Sequence, residues 1–267
     1  MDSLLRNYDF MKKLAEVSPS LTAAYAQAGP YPHAALDDFF PAEIIEQVLA
    51  NFPRPDQLKW QTFDNDNEKK LAFSQAEALA TTIREFLYFM NSYPVLQFLE
   101  KLTGISGLIP DPAFTGGGCH QIPRGGKLGV HVDFNKLKTV NLDRRLNLLV
   151  YLNKDWKDEY GGHFELWDAQ GKLSLKKIAP LFNRCVVFST TETSYHGHPH
   201  PLACPEGWTR KSVALYYYTN GRGDGQASNE HSTVFAGAEK SKKKMNVRNM
   251  LKEVTPPVLW KLSKRFG

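Results

Sequence analysis

CHQIPRGGKLGVHVD, residues 119–133, opens a run of short segments rich in β-branched and aromatic residues. LNLLVYLN (146–153), HFELWD (163–168), RCVVFST (184–190) and KSVALYYYT (211–219) follow, with Gly, Asn or Asp clusters between them. Closely spaced short strands of this kind predict an antiparallel sandwich or barrel. Upstream the texture differs. Residues 3–17 and 43–51 carry apolar side chains at helical spacing, further helices are expected over 75–91 and 94–102, and the last ends near Gly104. The apolar run inside GPYPHAALDDFFP (29–41) suits a strand. No linker separates the helical and β parts, so one domain is expected.

The bulk composition excludes several classes. A hydrophobic fraction of 42% with sixteen Phe supplies a sizeable core and argues against global disorder. Cys119, Cys185 and Cys204 form no C-x-x-C pair, which points to a reduced, cytoplasmic protein. No apolar run is long enough to span a bilayer. The N-terminal MDSLLRNYDFMKKLAEV has acidic residues and no continuous apolar segment, unlike a secretory signal. A soluble chain is expected. Its net charge of +5 is a property of the tail: from Lys240 onward there are nine Lys or Arg against Glu253 alone, so the remaining 239 residues carry −3. A nucleic-acid-binding body is not indicated.

The chemistry lies in the β half. Residues i and i+2 of a strand share a face, so His131 and Asp133 present an imidazole and a carboxylate to one point. His196 stands 65 residues further on, in FSTTETSYHGHPHP (188–201). Two His and one carboxylate on one side of an ion make the facial triad of non-haem Fe(II) sites, which leaves positions open for co-substrate and O2. Fourteen residues after His196, Arg210 opens a strand on which Ser212, Ala214 and Tyr216 share its side. A buried guanidinium beside a hydroxyl is a receptor for a carboxylate, because Arg pairs with it bidentately. Tyr151, in phase with Asn147, Leu149 and Asn153, can offer its phenol to the same carboxylate.

HVD (131–133), NLLVYLNKDW (147–156), GGHFELWD (161–168), RCVVFST with YHG (184–197) and RKSVALYYYT (210–219) together resemble the prolyl-4-hydroxylase type of 2-oxoglutarate/Fe(II)-dependent dioxygenases, in order and spacing, over about residues 117–220. The resemblance implies an α+β, mainly β fold: a double-stranded β-helix (jelly roll, cupin-like) with N-terminal helices packed on one face. It implies one oxygenase domain over 1–238, with helical support over about 1–105 and the jelly-roll core over about 106–220. A basic tail or helix follows at 239–267. His131, Asp133 and His196 are then the iron ligands and the catalytic set. Arg210 is the partner of the distal carboxylate of 2-oxoglutarate, Tyr151 hydrogen-bonds that carboxylate, and Ser212 matches the hydroxyl of an Arg-x-Ser arrangement. The implied cofactors are Fe(II), 2-oxoglutarate and O2, with ascorbate as reductant. The implied activity is hydroxylation of an unactivated C–H bond with release of succinate and CO2. Related halogenases lack the carboxylate, so Asp133 favours hydroxylation. Peptidyl, amino-acid, natural-product and glycan substrates all fit, since the core motifs encode only iron and co-substrate.

Other readings stand beside these. His198 is the alternative third ligand, and His200 a solvated loop residue. His163 reads as a surface histidine rather than a substrate contact, His120 and Gln121 as lining the mouth of the site, and His33 as structural. Trp156 and Trp167 are expected to pack the sheet, and Cys119 and Cys185 to be buried and inert. Beyond Pro256-Pro257, VLWKLSKRFG places Val258, Leu259, Leu262 and Phe266 on one helical face. Such a helix docks on the body or makes a weak contact with an anionic membrane surface. The whole chain could instead be a cupin-like metal-containing binding protein, but such a module has no use for a carboxylate receptor beyond its last ligand.

Overall fold

The computed structural model describes residues 4, 6–223 and 229–237. Local signals start and stop the helices. In α1 (Tyr8–Ala15) the Asn7 side chain accepts from the Phe10 N–H, and in α2 (Pro19–Gln27) Ser18 accepts from the Leu21 N–H with Pro19 in the first turn. α3 (Ala42–Ala50) buries Ile45 and Val48. α4 (Thr81–Met90) buries Ile83, Phe86, Leu87, Phe89 and Met90. α5 (Tyr93–Thr103) stops at Gly104, whose φ of 72° is left-handed. Two expectations need correction. The start signal Ser18-Pro19 belongs to a helix the periodicity did not reveal. The helix expected over 75–91 is broken, because Leu79 takes an extended conformation and is buried between a single 3-10 turn and α4.

Fourteen strands form among the described residues, and every pairing is antiparallel. They are β1 (His33–Leu36), β2 (Gln61–Asp64), β3 (Glu68–Phe73), β4 (Ile109–Pro110), β5 (Gly118–Pro123), β6 (Lys127–Val132) and β7 (Lys136–Leu137). After them come β8 (Leu142–Tyr151), β9 (Phe164–Trp167), β10 (Ser174–Ile178), β11 (Cys185–Ser189), β12 (His196–His198), β13 (Thr209–Thr219) and β14 (Val234–Phe235). The path β1-β11-β8-β13-β5-β3-β6-β12-β9-β10 makes a nearly closed barrel, the expected double-stranded β-helix. β14 pairs with the end of β6, at His131 and Val132.

Helices and strands are less segregated along the chain than the sequence suggests. β1 adds to β11, and β3 inserts between β5 and β6. EKKLAF (68–73) has no β-branched residue, so its strand state comes from its neighbours. The β2–β3 hairpin turns where Asn65 accepts from the N–H groups of Asn67 and Glu68.

The central strands are buried on both faces, and period-two alternation divides their side chains. Leu146, Leu148 and Val150 of β8, Cys185 and Val187 of β11, and Val213, Leu215 and Tyr217 of β13 share one core with Phe10, Ile45, Ile83, Phe89 and Leu99 of the helices. The Tyr217 hydroxyl donates to the Met90 carbonyl at 2.8 Å, tying sheet to helix. The other face of the same strands carries Asn147, Leu149, Tyr151, Arg210, Ser212 and Tyr216 into the barrel. The tail at 239–267 lies outside the described residues.

Candidate metal centre and its cavity

A cavity of about 480 Å³ opens inside the barrel, and the triad residues line it. His131 and Asp133 come from the end of β6 and the residue after it, and His196 begins β12 directly opposite His131 in the ladder. Ligand atoms of the three lie within 4.8 Å of one another, the sole such group of three among the described residues. His131 Nε2 is 3.6 Å from Asp133 Oδ1, and His196 Nε2 is 3.4 Å from Oδ2.

Both imidazoles are held in the tautomer a metal requires. Nδ1 of His131 lies 2.8 Å from the Gly129 carbonyl, and Nδ1 of His196 lies 2.9 Å from that of Ser194. A carbonyl only accepts, so Nδ1 carries the proton and the Nε2 lone pair points at Asp133. Phe164 and Phe188 pack on the His196 ring at centroid distances of 5.5 and 4.8 Å. Burial, only partly offset by Asp133, pushes the His196 pKa down to about 4, so the ring is neutral and able to ligate near pH 7. Burial acts to raise the Asp133 pKa, but Arg144, His196 and His131 outweigh it and hold the carboxyl well below its usual range. Two neutral nitrogens and a carboxylate oxygen on one spot fit a divalent iron site.

Arg144 escaped the sequence reading. It is 1% exposed, its NH2 is 3.2 Å from Asp133 Oδ2, and its guanidinium lies over the rings of Phe134 and Tyr216 at 4.3 and 3.5 Å. Asn147 completes the support: its amide nitrogen donates to Asp133 Oδ2 at 2.7 Å, and its oxygen accepts from Arg144 Nε at 2.9 Å.

Arg210, Tyr151 and Ser212 meet in the same cavity, on adjacent strands with Ser212 facing Tyr151 in register. Arg210 is 5% exposed. Its Nε donates to the Gly162 carbonyl at 2.7 Å and its NH2 to the Tyr151 hydroxyl at 3.1 Å. Gly162 sits at φ +71°, where a Cβ would fall 2.5 Å from Leu202 and 2.9 Å from Arg210, so no other residue lets the backbone approach so closely. Among the described residues no carboxylate pairs with Arg210.

The remaining histidines divide clearly. His198 lines the cavity but is outside the ligand group, so His196 is the third member. His200 is exposed. His163 pairs with the exposed Asp158 at 2.8 Å and does not line this cavity. His33 is structural, its Nδ1 2.9 Å from the Tyr31 carbonyl. His120 lines the cavity, whereas Gln121 does not: its amide donates to the Pro53 carbonyl and its oxygen accepts from Thr209, on the opposite face of β5. Neighbours on a strand point to opposite sides, so only one of the two can face the site. Trp156 is buried in a small cluster with Ile122, Leu202 and Cys204. The three cysteines are free and buried, and burial raises the Cys119 thiol to about 12. A wall of the cavity comes from β2 and β3, with Gln61, Phe63, Glu68 and Lys70. The last two pair at 2.8 Å, and Lys70 Nζ lies 4.8 Å from the centroid of the Phe63 ring.

Residues 117–218 match the 2OG-Fe(II) oxygenase superfamily. No curated protein matches the chain. Among solved structures, a Pseudomonas putida prolyl-4-hydroxylase is 19% identical, with a TM-score of 0.52 over 75% of this chain and 100% of its own. A Trichoplax adhaerens prolyl hydroxylase in complex with a hypoxia-inducible-factor peptide is 17% identical, with a TM-score of 0.55 over 80% of this chain and 94% of its own. HygX from Streptomyces hygroscopicus, with nickel, 2-oxoglutarate and hygromycin B bound, is 11% identical, with a TM-score of 0.54 over 82% and 98%. At these identities the likenesses establish the fold.

Proposed function

We propose that the chain, whose residues 117–218 match the 2OG-Fe(II) oxygenase superfamily, hydroxylates an unactivated C–H bond with O2 and 2-oxoglutarate, releasing succinate and CO2. Arg210 is the observation that carries this reading. A buried guanidinium with no carboxylate beside it leaves a charge uncompensated, at a cost of several kcal/mol. The distal carboxylate of 2-oxoglutarate supplies that compensation bidentately. Tyr151 holds the fork in place, and Ser212 borders it.

His131, Asp133 and His196 would hold Fe(II), which supplies the activation of O2. In the overall balance, cleavage of the C1–C2 bond of 2-oxoglutarate gives two electrons and the substrate C–H bond gives two. One oxygen atom enters succinate and the other the substrate. The chain's own part is positional. Gly129 and Ser194 hold the imidazole protons away from the ion, Arg144 and Asn147 hold the carboxylate, and the barrel wall limits water. Ascorbate would keep the iron reduced.

The part of the cavity walled by β2 and β3, with Gln61, Phe63, Glu68 and Lys70, takes the substrate. That substrate is a peptidyl side chain or a small molecule of the amino-acid, natural-product or glycan kind. The partners named for the solved structures, a peptide for one and hygromycin B for another, support either size.

The test is anaerobic titration of the apoprotein with Fe(II) and then 2-oxoglutarate, followed by the weak visible charge-transfer band. We expect the band in the wild type. Arg210→Ala should need roughly a hundredfold more 2-oxoglutarate, the loss of a bidentate charged contact. A folded wild type that binds Fe(II) and develops no band overturns the assignment.

A further inference from the structure

We propose that His198 is a second co-substrate-binding residue, donating a ring N–H to the distal carboxylate of 2-oxoglutarate beside Arg210. The inference rests on the function proposed above and adds a residue to it. His198 lies two positions after His196 on β12, and both residues line the cavity inside the barrel. Gly197 between them lets β12 lie close against β6: a Cβ there would fall 2.7 Å from the Gly129 carbonyl and 2.8 Å from that of Leu128. His131 and His196 each commit Nδ1 to a backbone carbonyl, but His198 commits neither nitrogen. It is 4% exposed, and both ring nitrogens are buried without a hydrogen-bond partner. Native chains seldom leave even one buried polar atom unmatched. Two on one ring, inside a cavity, mark a place that a ligand completes.

The surroundings name the ligand's charge. The charges of Arg210 and Lys70 both act on the His198 ring, and the same two act on His120, whose Nε2 is also buried and unpartnered. Glu68 and Asp133 are the acidic residues lining the cavity; Glu68 is paired with Lys70, and Asp133 with Arg144. The region around Arg210 thus offers donors and positive charge, and among the described residues no carboxylate pairs with Arg210. An anion with several acceptor oxygens is the complement. The distal carboxylate brought there by Arg210 is such a group: with about four lone-pair sites on its two oxygens, it keeps acceptor capacity for an imidazole N–H after pairing with the guanidinium.

The experiment measures co-substrate affinity without turnover. Wild type, His198→Leu and His198→Gln are loaded with Fe(II) without O2 and titrated with 2-oxoglutarate, and separately with 2-oxobutyrate, which lacks the distal carboxylate. We expect His198→Leu to weaken 2-oxoglutarate roughly tenfold, the loss of one hydrogen bond to a charged group. Glutamine, which keeps an N–H donor, should recover part of that loss. Fe(II) affinity and 2-oxobutyrate affinity should stay within about twofold of wild type. Unchanged 2-oxoglutarate affinity in His198→Leu overturns the inference. So does an equal loss for both oxo acids, which would place the effect at the iron end. If the leucine variant fails to fold, His198→Ala decides: weakening confined to 2-oxoglutarate supports the contact, and wild-type affinity for both acids rejects it. A wild type that binds no 2-oxoglutarate refutes the function itself, a different outcome from any of these.

Discussion

Arg144 holds Asp133 through a 3.2 Å ion pair, and the two share Asn147, which donates to Asp133 and accepts from Arg144. The pair is almost fully buried, with side-chain exposures of 1% and 13%. Removing one partner of a buried pair typically costs about 3–5 kcal/mol, because the other charge is left alone. Arg144→Met should therefore destabilise the apoprotein by about that much in denaturant unfolding at neutral pH. A divalent ion on Asp133 supplies a substitute positive charge, so saturating Co(II) should narrow the gap between variant and wild type. Equal destabilisation with and without metal would show that Arg144 acts through its packing between Phe134 and Tyr216 alone.

Alanine at His131, Asp133 or His196 should bring Fe(II)-dependent succinate formation down to background. The three differ in a way that can be measured. Asp133→Ala leaves Arg144 buried without its carboxylate, whereas His196→Ala leaves only a gap among Phe164, Phe188 and His131. Asp133→Ala should thus lower the apoprotein melting temperature more than the Arg144→Met/Asp133→Ala double variant does. A double variant less stable than either single one would mean that the two charges do not compensate each other.

His163→Ala should leave Fe(II) and 2-oxoglutarate binding within about twofold of wild type. Its partner Asp158 is 94% exposed, and exposed ion pairs contribute about 0–1 kcal/mol. A larger change in either affinity would place His163 in the site after all.

The grouping of His131, Asp133 and His196, and the entry of Arg210 into the same cavity, were legible in the sequence because period-two spacing marks which residues share a side. His131 and Asp133 are two apart, and Arg210 is in phase with Ser212 and Tyr216. Arg144 was not legible. In DRRLN (143–147) two arginines adjoin an apolar strand, and only the register with β13 turns Arg144 inward while Arg145 bonds Thr219 on the outside. The β2–β3 wall was hidden for another reason: EKKLAF has neither β-branched residues nor alternation, and its pairing with β5 and β6 is long-range. His198 was visible as a residue but not as a role, since unpartnered nitrogens are a property of the packed barrel. Gln121 shows the converse error, a polar residue beside the site in sequence and on the wrong face in space.

Acid should weaken the metal-free protein through histidines buried in their neutral form. Burial first, then the charge of Lys70, lowers the His120 pKa to about 3, although the carbonyls of Gly116 and Gly117 pull the other way. An unfolded histidine titrates near 6.5, so between about 6.5 and 3 the unfolded chain binds a proton that the folded chain refuses. Stability is therefore full above the unfolded pKa and is lost as pH falls through this window, at about 1.4 kcal/mol per pH unit for each such group. Unfolding free energy measured from pH 7 to 4.5 in the presence of chelator should slope downward with acid. His120→Gln should make that slope shallower by one proton. An unchanged slope would mean that His120 is protonated in the folded state.

Gly162→Ala tests the carboxylate-binding role proposed for Arg210 without removing any donor. The new methyl would stand 2.9 Å from Arg210 Cδ and 2.5 Å from Leu202 Cδ2, at a φ of +71° that alanine resists. Arg210 or the Gly162 backbone must shift, and the 2.7 Å contact from Nε to the Gly162 carbonyl goes with it. Stability should fall by more than about 1 kcal/mol, as for alanine at a positive φ. The 2-oxoglutarate requirement should rise roughly tenfold while Fe(II) affinity holds, because the triad on β6 and β12 is untouched. Displacement of Arg210 alone cannot explain a loss of Fe(II) binding, so that result would show that the two ends of the cavity move together. Wild-type affinity for 2-oxoglutarate would mean that the orientation of the guanidinium is set by Tyr151 and not by the Gly162 carbonyl.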